Sequence, residues 1–282
     1  MSTSVIRQVR GRSQETARTT RITGSSAVRL HPVREVATVA IAVFIYFFVR
    51  GLMHSKEDLA VANAHRLIDV ERWLGIFREP QLQSWVTDRP ALERVFNSIY
   101  IYGHWPVVIG TLVWLLIWHR QDFSLFRSAL LISGGIGLVI FITFPMAPPR
   151  FIPELGFVDT VTLRTNAYRV LQPPAFTNQY AAMPSLHVGW NLLMGVAIVT
   201  HARTYLGRAF GYAMPVLMYL ATVMTANHYF SDGVAGSIVA LTGLGIAWQL
   251  RRRQRARDEA RDMRGEDESD PTIAPAARPV AA

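Results

Sequence analysis

The feature that most constrains the fold is a series of apolar segments that carry almost no charge and are separated by charged or proline-containing connections. Each segment has about 18 to 22 residues, enough for a helix to cross the roughly 30 Å hydrocarbon core of a bilayer. Charged residues make up only 17% of the chain, against about a quarter in a typical soluble domain. The sequence therefore predicts an all-α integral membrane protein, a bundle of six transmembrane helices. The spans are expected at about residues 36–53, 96–118, 125–144, 185–200, 206–225 and 232–250.

The segment between the first two spans, residues 54–93, is mixed in charge but does not have the composition of a loop. Its side chains recur at the spacing of one helix face, at Leu59, Ala62, Asn63, Leu67, Val70, Trp73, Leu74 and Phe77. This pattern predicts an additional amphipathic helix that lies on the membrane surface or over the mouth of the bundle.

Both ends of the chain are polar and are expected to be disordered. Residues 1–33 are rich in Ser, Thr and Arg and lack the short apolar core and cleavage site of a secretory signal. Residues 251–282 form the second predicted tail, which leaves residues 34–250 as the six-span domain. An even number of spans places both tails on the same side of the membrane.

Arginine is distributed unevenly among the connections. Arg120 and Arg127 lie at the connection between the second and third spans, and Arg203 and Arg208 at the one between the fourth and fifth. Both connections, and the cluster that begins at Arg251, fall on the side of the two termini. Because basic connections favour the cytoplasmic side, we predict a multi-pass protein of the cell membrane with both termini in the cytoplasm. Topology then accounts for the formal net charge of +9 without a nucleic acid partner. The chain has no cysteine, which excludes disulfides and thiolate metal sites.

Two histidines and one aspartate lie at the ends of predicted spans. His187 follows Met-Pro-Ser-Leu at the start of the fourth span, whereas His228 and Asp232 lie between the fifth and sixth. In the predicted topology all three reach the outer face. If residues 227–232 are helical, Asp232 accepts a hydrogen bond from one nitrogen of His228 and leaves the other as a base or nucleophile. His187 is then available as an acid that protonates a leaving oxygen.

Three further residues are candidates for binding the anion in such a site. Ser185 and the amide groups at the start of the fourth span suit a phosphate, because a helix N-terminus presents donors and partial positive charge. Arg150 follows a proline-rich run and is a candidate for clamping phosphate oxygens, or else an interfacial lipid anchor. His104 is a candidate for binding the substrate headgroup, or else a partner in an interhelical hydrogen bond. The arrangement as a whole is typical of phosphoryl transfer.

These motifs carry a resemblance. Pro-Ser-Leu-His at 184–187, followed by His-Tyr-Phe-Ser-Asp-Gly at 228–233, resembles the last two motifs of the type 2 phosphatidic acid phosphatase superfamily. Ala-Pro-Pro at 147–149 and the leucine before His187 look more like its inositol phosphorylceramide synthase branch. The resemblance covers roughly residues 95–250.

The resemblance implies roles for the site residues. It makes His228 the nucleophile that forms a phosphohistidine, His187 the acid for the leaving alkoxide and Asp232 the group that supports His228, with no cofactor and no required metal. Two family features are absent: residues 145–150 replace the usual K-x-x-x-x-x-x-R-P motif, and Ala221 and Thr222 stand near the place of an S-R pair. Two phosphate-binding arginines of the family are therefore missing.

Several alternatives stay open from the sequence. Water as the acceptor gives a lipid-phosphate phosphatase, and an alcohol, such as a lipid or a polyol like inositol, gives a phospho-headgroup transferase. A reading from another class is a membrane transporter or scaffold in which His187, His228 and Asp232 bind a proton or a metal such as zinc. The expected partners are a lipid phosphate, its acceptor and membrane lipids. The sequence specifies neither the lipid nor the oligomeric state.

Overall fold

The computed structural model describes residues 56–164 and 179–269, together with isolated positions between 33 and 44. The predicted N-terminal tail, apart from Val33, lies outside the described residues, as do most of the predicted span at 36–53 and all of residues 165–178. The described part is helical and contains one isolated β-bridge, between Met146 and Ala181. The prediction of an all-α protein is confirmed.

The helices of the described part are named here in chain order. They are α1 Glu57–Trp73, α2 Glu79–Thr87, α3 Pro90–Tyr102, α4 Trp105–Trp118, α5 Arg120–Thr143, α6 Thr160–Arg164, α7 Leu186–His201, α8 Tyr205–Met224 and α9 Phe230–Ser269. Two short 3-10 turns, Pro149–Phe151 and Pro153–Leu155, follow the proline-rich end of α5.

Within the described residues, three helices are long and apolar enough to cross a membrane: α5, α8 and the Phe230–Arg261 part of α9. The pair α3 and α4 passes the same test if it is taken as one bent span, which makes four. Helix α7 is apolar but has only 16 residues. The predicted number of six spans stays a prediction.

The second predicted span is not one straight helix. Helices α3 and α4 meet at an angle of 43°, with the break at Gly103 and His104. Pro106 follows at the start of α4, where its missing N–H interrupts the backbone ladder. A side chain at Gly103 would collide with the carbonyl of Ile99 and with Met214 of α8, so only glycine fits at this bend.

The expected single amphipathic helix at 54–93 is instead two helices and the start of a third. Gly75, at φ 72°, lies in the turn after α1 and favours the left-handed backbone there. The buried face of α1 also differs from the predicted stripe, because it carries the polar side chains of Asn63 and Glu71 while Trp73 is 84% exposed. Its predicted place at the membrane surface stays a prediction.

Close packing of α7 on α9 positions the end of the bundle where the motifs lie. Gly189 of α7 and Gly236 of α9 face each other without room for a Cβ: a side chain at Gly236 would meet the backbone of Ser185, and one at Gly189 the carbonyl of Gly236. Ser185 N also donates to the carbonyl oxygen of Asp232 at 2.9 Å. The start of α7 is therefore held directly against the first turn of α9.

A second polar cluster marks the opposite end of these helices. Asp122 accepts hydrogen bonds from Arg251 at 2.6 Å and pairs with His201 at 2.9 Å, which ties together the start of α5, the end of α7 and the middle of α9. From Phe230 to Arg251 helix α9 rises roughly 31 Å, at about 1.5 Å per residue, which is close to the thickness of a bilayer core of about 30 Å.

Helix α9 continues to Ser269, so residues 251–269 are helical where we expected the disordered tail to begin at residue 251. The reason lies in local composition, because residues 251–264 contain only good or moderate helix formers and neither glycine nor proline, and the next proline is Pro271. Polar composition alone did not distinguish a charged helix from a disordered tail.

Candidate active site

His228 lies in a short non-helical connection between α8 and α9. The backbone N–H groups of Asn227 and His228 both donate to the carbonyl of Thr222, at 3.0 and 3.1 Å, which ends α8 and directs the chain towards α9. Ala226 takes a left-handed conformation there, with φ 52°. Residues 227–229 therefore precede α9, which begins at Phe230, and the contact expected between His228 and Asp232 forms without a helix over the whole of 227–232.

Asp232 is completely buried and orients His228. Its Oδ2 lies 3.3 Å from His228 Nδ1 and accepts a hydrogen bond from the backbone N–H of Tyr229 at 2.9 Å. Because a carboxylate oxygen accepts, the Nδ1 atom of His228 carries the proton. The lone pair of the neutral ring is then on Nε2, as a nucleophile requires.

His187 lies in the first turn of α7 and faces His228 across the helix contact. The centroids of the two imidazole rings are 5.8 Å apart. The ring of Tyr100 from α3 stacks on His187, with centroids 4.8 Å apart and an interplanar angle of 24°. The structure thus brings together His187, His228 and Asp232 at one end of the helices.

His104, at the break between α3 and α4, adds a third imidazole to this cluster. It is buried, and its ring centroid lies 4.4 Å from that of His187. Asn191 Nδ2 donates to the carbonyl of His187 at 2.9 Å and lies 3.1 Å from His104 Nδ1. Since the carbonyl can only accept, it sets the amide orientation, so His104 Nδ1 is the acceptor and its Nε2 carries the proton. His104 therefore makes an interhelical hydrogen bond and also lies beside the site.

Ser185 is fully buried at the N-cap position of α7, and its Oγ has no hydrogen-bond partner among the residues that the structure describes. Its backbone N–H is not available to an anion, because it donates to the carbonyl of Asp232. Of the anion-binding groups expected at Ser185 itself, only the hydroxyl is left for that role.

Arg150 is held against the segment that precedes His228. Its backbone N–H donates to the carbonyl of Ala226 at 3.0 Å, and its Nη1 donates to the Oδ1 atom of Asn227. Its Nε lies 3.6 Å from Asp159, and the side chain is 11% exposed. The proline-rich run therefore holds the guanidinium of Arg150 against Asn227, the residue that precedes His228, in a mostly buried position.

Two buried glutamates, Glu71 of α1 and Glu79 of α2, contact the start of α9 and were not predicted from the sequence. The backbone N–H of Ser231 donates to Glu71 at 2.9 Å, and that of Phe230 donates to Glu79 at 3.0 Å. Burial, and then the hydrogen bond with Glu71, raise the pKa of Glu79 from 4.5 to about 8. The signal that was available is the two glutamates themselves, which are the kind of residue that is almost never fully buried without a partner.

Among the residues that the structure describes, no group of three or more histidine, aspartate or glutamate side chains is arranged to hold a metal ion. The Oδ2 atom of Asp232 is already occupied by the ring of His228 and the N–H of Tyr229.

No curated protein matches the chain. The crystal structure of Aquifex aeolicus LpxE is similar at 13% identity over 60% of this chain and 93% of that chain, with a TM-score of 0.43, a likeness too distant to carry an argument. The family model described as the PAP2 superfamily matches residues 65–246, which include every residue of the site described above. The superfamily resemblance is confirmed, and the inositol phosphorylceramide synthase branch stays a prediction. Because the match spans more than half of its length, this chain belongs to the PAP2 superfamily.

Proposed function

We propose that this protein is a membrane lipid-phosphate phosphatase that works through a phosphohistidine on His228. The observation that carries the proposal is the pairing of two imidazoles, 5.8 Å apart at their centroids, of which one is oriented by a buried carboxylate 3.3 Å away. Membership of the PAP2 superfamily supports phosphatase chemistry, and the apolar helices around the site support a lipid substrate.

In the first step, His228 Nε2 attacks the phosphorus of the lipid phosphate. An N–P bond forms, the P–O bond to the lipid breaks, and its electron pair leaves on the lipid oxygen. The imidazolium of His187 donates its proton to that oxygen, which releases a neutral lipid alcohol. Asp232 stabilises the positive charge that develops on the ring of His228.

In the second step, His187 is neutral and takes a proton from a water molecule whose oxygen attacks the phosphorus. The N–P bond breaks, and its electron pair returns to His228 Nε2. Inorganic phosphate leaves, and His187 is protonated again for the next cycle. The net reaction consumes one lipid phosphate and one water and yields one lipid alcohol and one phosphate.

The groups proposed to hold the phosphate are the Ser185 hydroxyl and Arg150, with His104 at the headgroup. The buried and unpaired Oγ of Ser185 supports the first of these roles, since a buried hydroxyl without a partner is costly unless a ligand completes it. The neutral form of His104 directs an N–H from Nε2, which suits a phosphate or hydroxyl oxygen.

The second candidate is transfer of the phospho-headgroup to an alcohol. The motif resemblance at 147–149 and 183–187 favours it, and the same phosphohistidine serves an alcohol in place of water. Adding inositol or another polyol to the assay separates the two candidates. A transferase forms a phosphodiester or polyol phosphate at the expense of free phosphate, whereas a phosphatase releases the same amount of phosphate with or without the polyol.

The test uses protein purified in detergent, with a chelator present and phosphatidic acid as a generic substrate. We expect phosphate release that is abolished by His228→Ala and retained by His65→Ala. His65 is a suitable control because it pairs with Glu154 outside the cluster and its side chain is 46% exposed. Activity that survives His228→Ala would exclude the phosphohistidine, and activity that requires added zinc would favour the metal site.

A further inference from the structure

We propose that Glu71 and Glu79 are positioning residues for His228, which hold the first turn of α9 as one buried carboxylic acid paired with one carboxylate. This inference rests on the proposed function, because it concerns the placement of the nucleophile in that reaction. It assigns a role to two residues of the segment at 54–93, for which the sequence predicts an amphipathic helix on the membrane surface or over the mouth of the bundle.

Three consecutive backbone donors carry the argument. The N–H of Tyr229 donates to Asp232, that of Phe230 to Glu79 and that of Ser231 to Glu71, at 2.9, 3.0 and 2.9 Å. The first N–H groups of a helix have no partner within the helix, and the N-terminus carries partial positive charge that favours carboxylates. Each of these orphan donors has therefore received its own buried carboxyl.

The two glutamates come from elements far away in sequence. Glu71 lies on α1, 160 residues before its donor, and Glu79 is the first residue of α2, 151 residues before its donor. Both side chains are 0% exposed. Together they hold Phe230 and Ser231, the two residues between Tyr229 and Asp232. A shift of this turn would therefore change the distance between Asp232 and His228.

The pair has one proton to share. Glu71 Oε2 is buried and has no explicit donor among the described residues, and the neighbouring carboxyl of Glu79 forms a hydrogen bond with Glu71. Two buried carboxylates in contact cannot both ionise without a large cost. A proton on Glu79 satisfies Glu71 Oε2 and leaves one negative charge at the helix end. The pKa of Glu79 near 8 agrees with this assignment.

The titratable side chains of α8 and of the start of α9 that interact with this pair carry no positive charge to offset a second ionisation. These side chains are Tyr219 from α8, together with Tyr229 and Asp232 at the start of α9. Each is neutral or negative, and burial raises the pKa of Tyr229. Loss of the shared proton therefore places two negative charges beside Asp232, and we expect the first turn of α9 to shift.

The test compares Glu79→Gln with the unmodified protein. Glutamine keeps an acceptor oxygen for Phe230 and an N–H donor for Glu71, and it does not ionise, but it loses the acceptor that Glu79 Oε2 offers to the N–H of Arg78 at 2.8 Å. Above a pH of about 8 we expect the unmodified protein to lose kcat more steeply than Glu79→Gln, by about tenfold for each further pH unit. The KM is expected to stay the same, since the pair does not touch the substrate. Any alkaline loss that both proteins share lies outside this pair.

Two further variants complete the experiment. Glu79→Ala removes the acceptor and is expected to lower kcat at every pH, whereas Asp69→Asn, an exposed carboxylate on the same helix as Glu71, is expected to follow the unmodified protein. Identical alkaline slopes in Glu79→Gln and the unmodified protein would overturn the positioning role while the phosphatase stands. If the unmodified protein releases no phosphate at any pH, the proposed function fails and the positioning role fails with it. A melting temperature whose pH dependence is unchanged in Glu79→Gln would refute the shared proton in either case.

Discussion

The substitution Asp232→Asn tests the proposed mechanism most directly. The carboxylate has a single well-placed oxygen, Oδ2, which receives both the Nδ1–H of His228 and the N–H of Tyr229, and its other oxygen is buried without a partner among the described residues. An asparagine that places its carbonyl oxygen at the Oδ2 position keeps both hydrogen bonds and the same tautomer of His228. What it removes is the negative charge.

The size of the effect follows from that geometry. A hydrogen bond to a charged partner contributes about 1.5–3 kcal/mol, which is about 1 kcal/mol or more above a neutral one. The ring of His228 becomes positive only when it bonds to phosphorus, so the loss falls on the transition state and not on the bound substrate. At about 1 to 1.5 kcal/mol, we expect kcat to fall roughly 5- to 13-fold with little change in KM.

The assay is steady-state phosphate release from a detergent-solubilised lipid phosphate, with Asp69→Asn as an exposed aspartate control. The buried amide nitrogen of asparagine replaces an unpaired oxygen, so the melting temperature of each variant is measured beside its rate. A correctly folded Asp232→Asn protein with unchanged kcat would refute the argument that a buried charge stabilises the ring of His228.

Three further predictions concern the acid, the helix contact and the buried pair. His187→Ala is expected to slow the first-turnover release of a lipid alcohol by at least about a hundredfold but to spare the first-turnover burst of p-nitrophenol from p-nitrophenyl phosphate, whose leaving group needs no proton; equal losses in the two bursts would argue against a general acid. Gly236→Ala is expected to destabilise the protein by about 2 kcal/mol or more, because the new Cβ meets the backbone of Ser185. In Gly245→Ala, on the same helix, the new Cβ meets nothing, and the change is expected to be neutral or slightly stabilising. Thermal unfolding of both variants in detergent checks this prediction. Because the folded state raises the pKa of Glu79, the stabilisation from its protonated form is complete below pH 4.5 and is lost as the pH rises to about 8. Glu79→Gln is therefore expected to make the melting temperature depend less on pH across that interval. An unchanged slope of melting temperature against pH would contradict this prediction.

Much of the candidate site was predictable because it depends on local rules. Histidines and an acid at the ends of apolar segments pointed to one end of a bundle, and the structure places His187, His228 and Asp232 together there. The bend between α3 and α4 was not predicted, although Gly103 and Pro106 stand in the sequence, because an apolar run looks continuous when only hydropathy is considered.

The partners of the site were not predictable from local pattern. Asn191 lies 87 residues from His104 and Glu71 lies 160 residues from Ser231, so no spacing rule connects them. The face that the apolar stripe predicts to be buried in α1 is also not the observed one, because the helix buries Asn63 and Glu71 and exposes Trp73. In a membrane environment an apolar side chain gains little from the bundle interior, whereas a polar one must find a partner there.

The sequence by itself determined the all-helical class, the membrane character and the chemical types of the proposed nucleophile, acid and orienting carboxylate, because charge-free length and motif spacing are local properties of the chain. Tertiary structure alone decided how those groups are held: glycine contacts bring α7 onto α9, and two carboxyls from α1 and α2 accept hydrogen bonds from the backbone N–H groups at the start of α9 that have no partner within the helix. Packing and hydrogen bonding between distant segments depend on which surfaces meet, and that information is distributed over the whole fold.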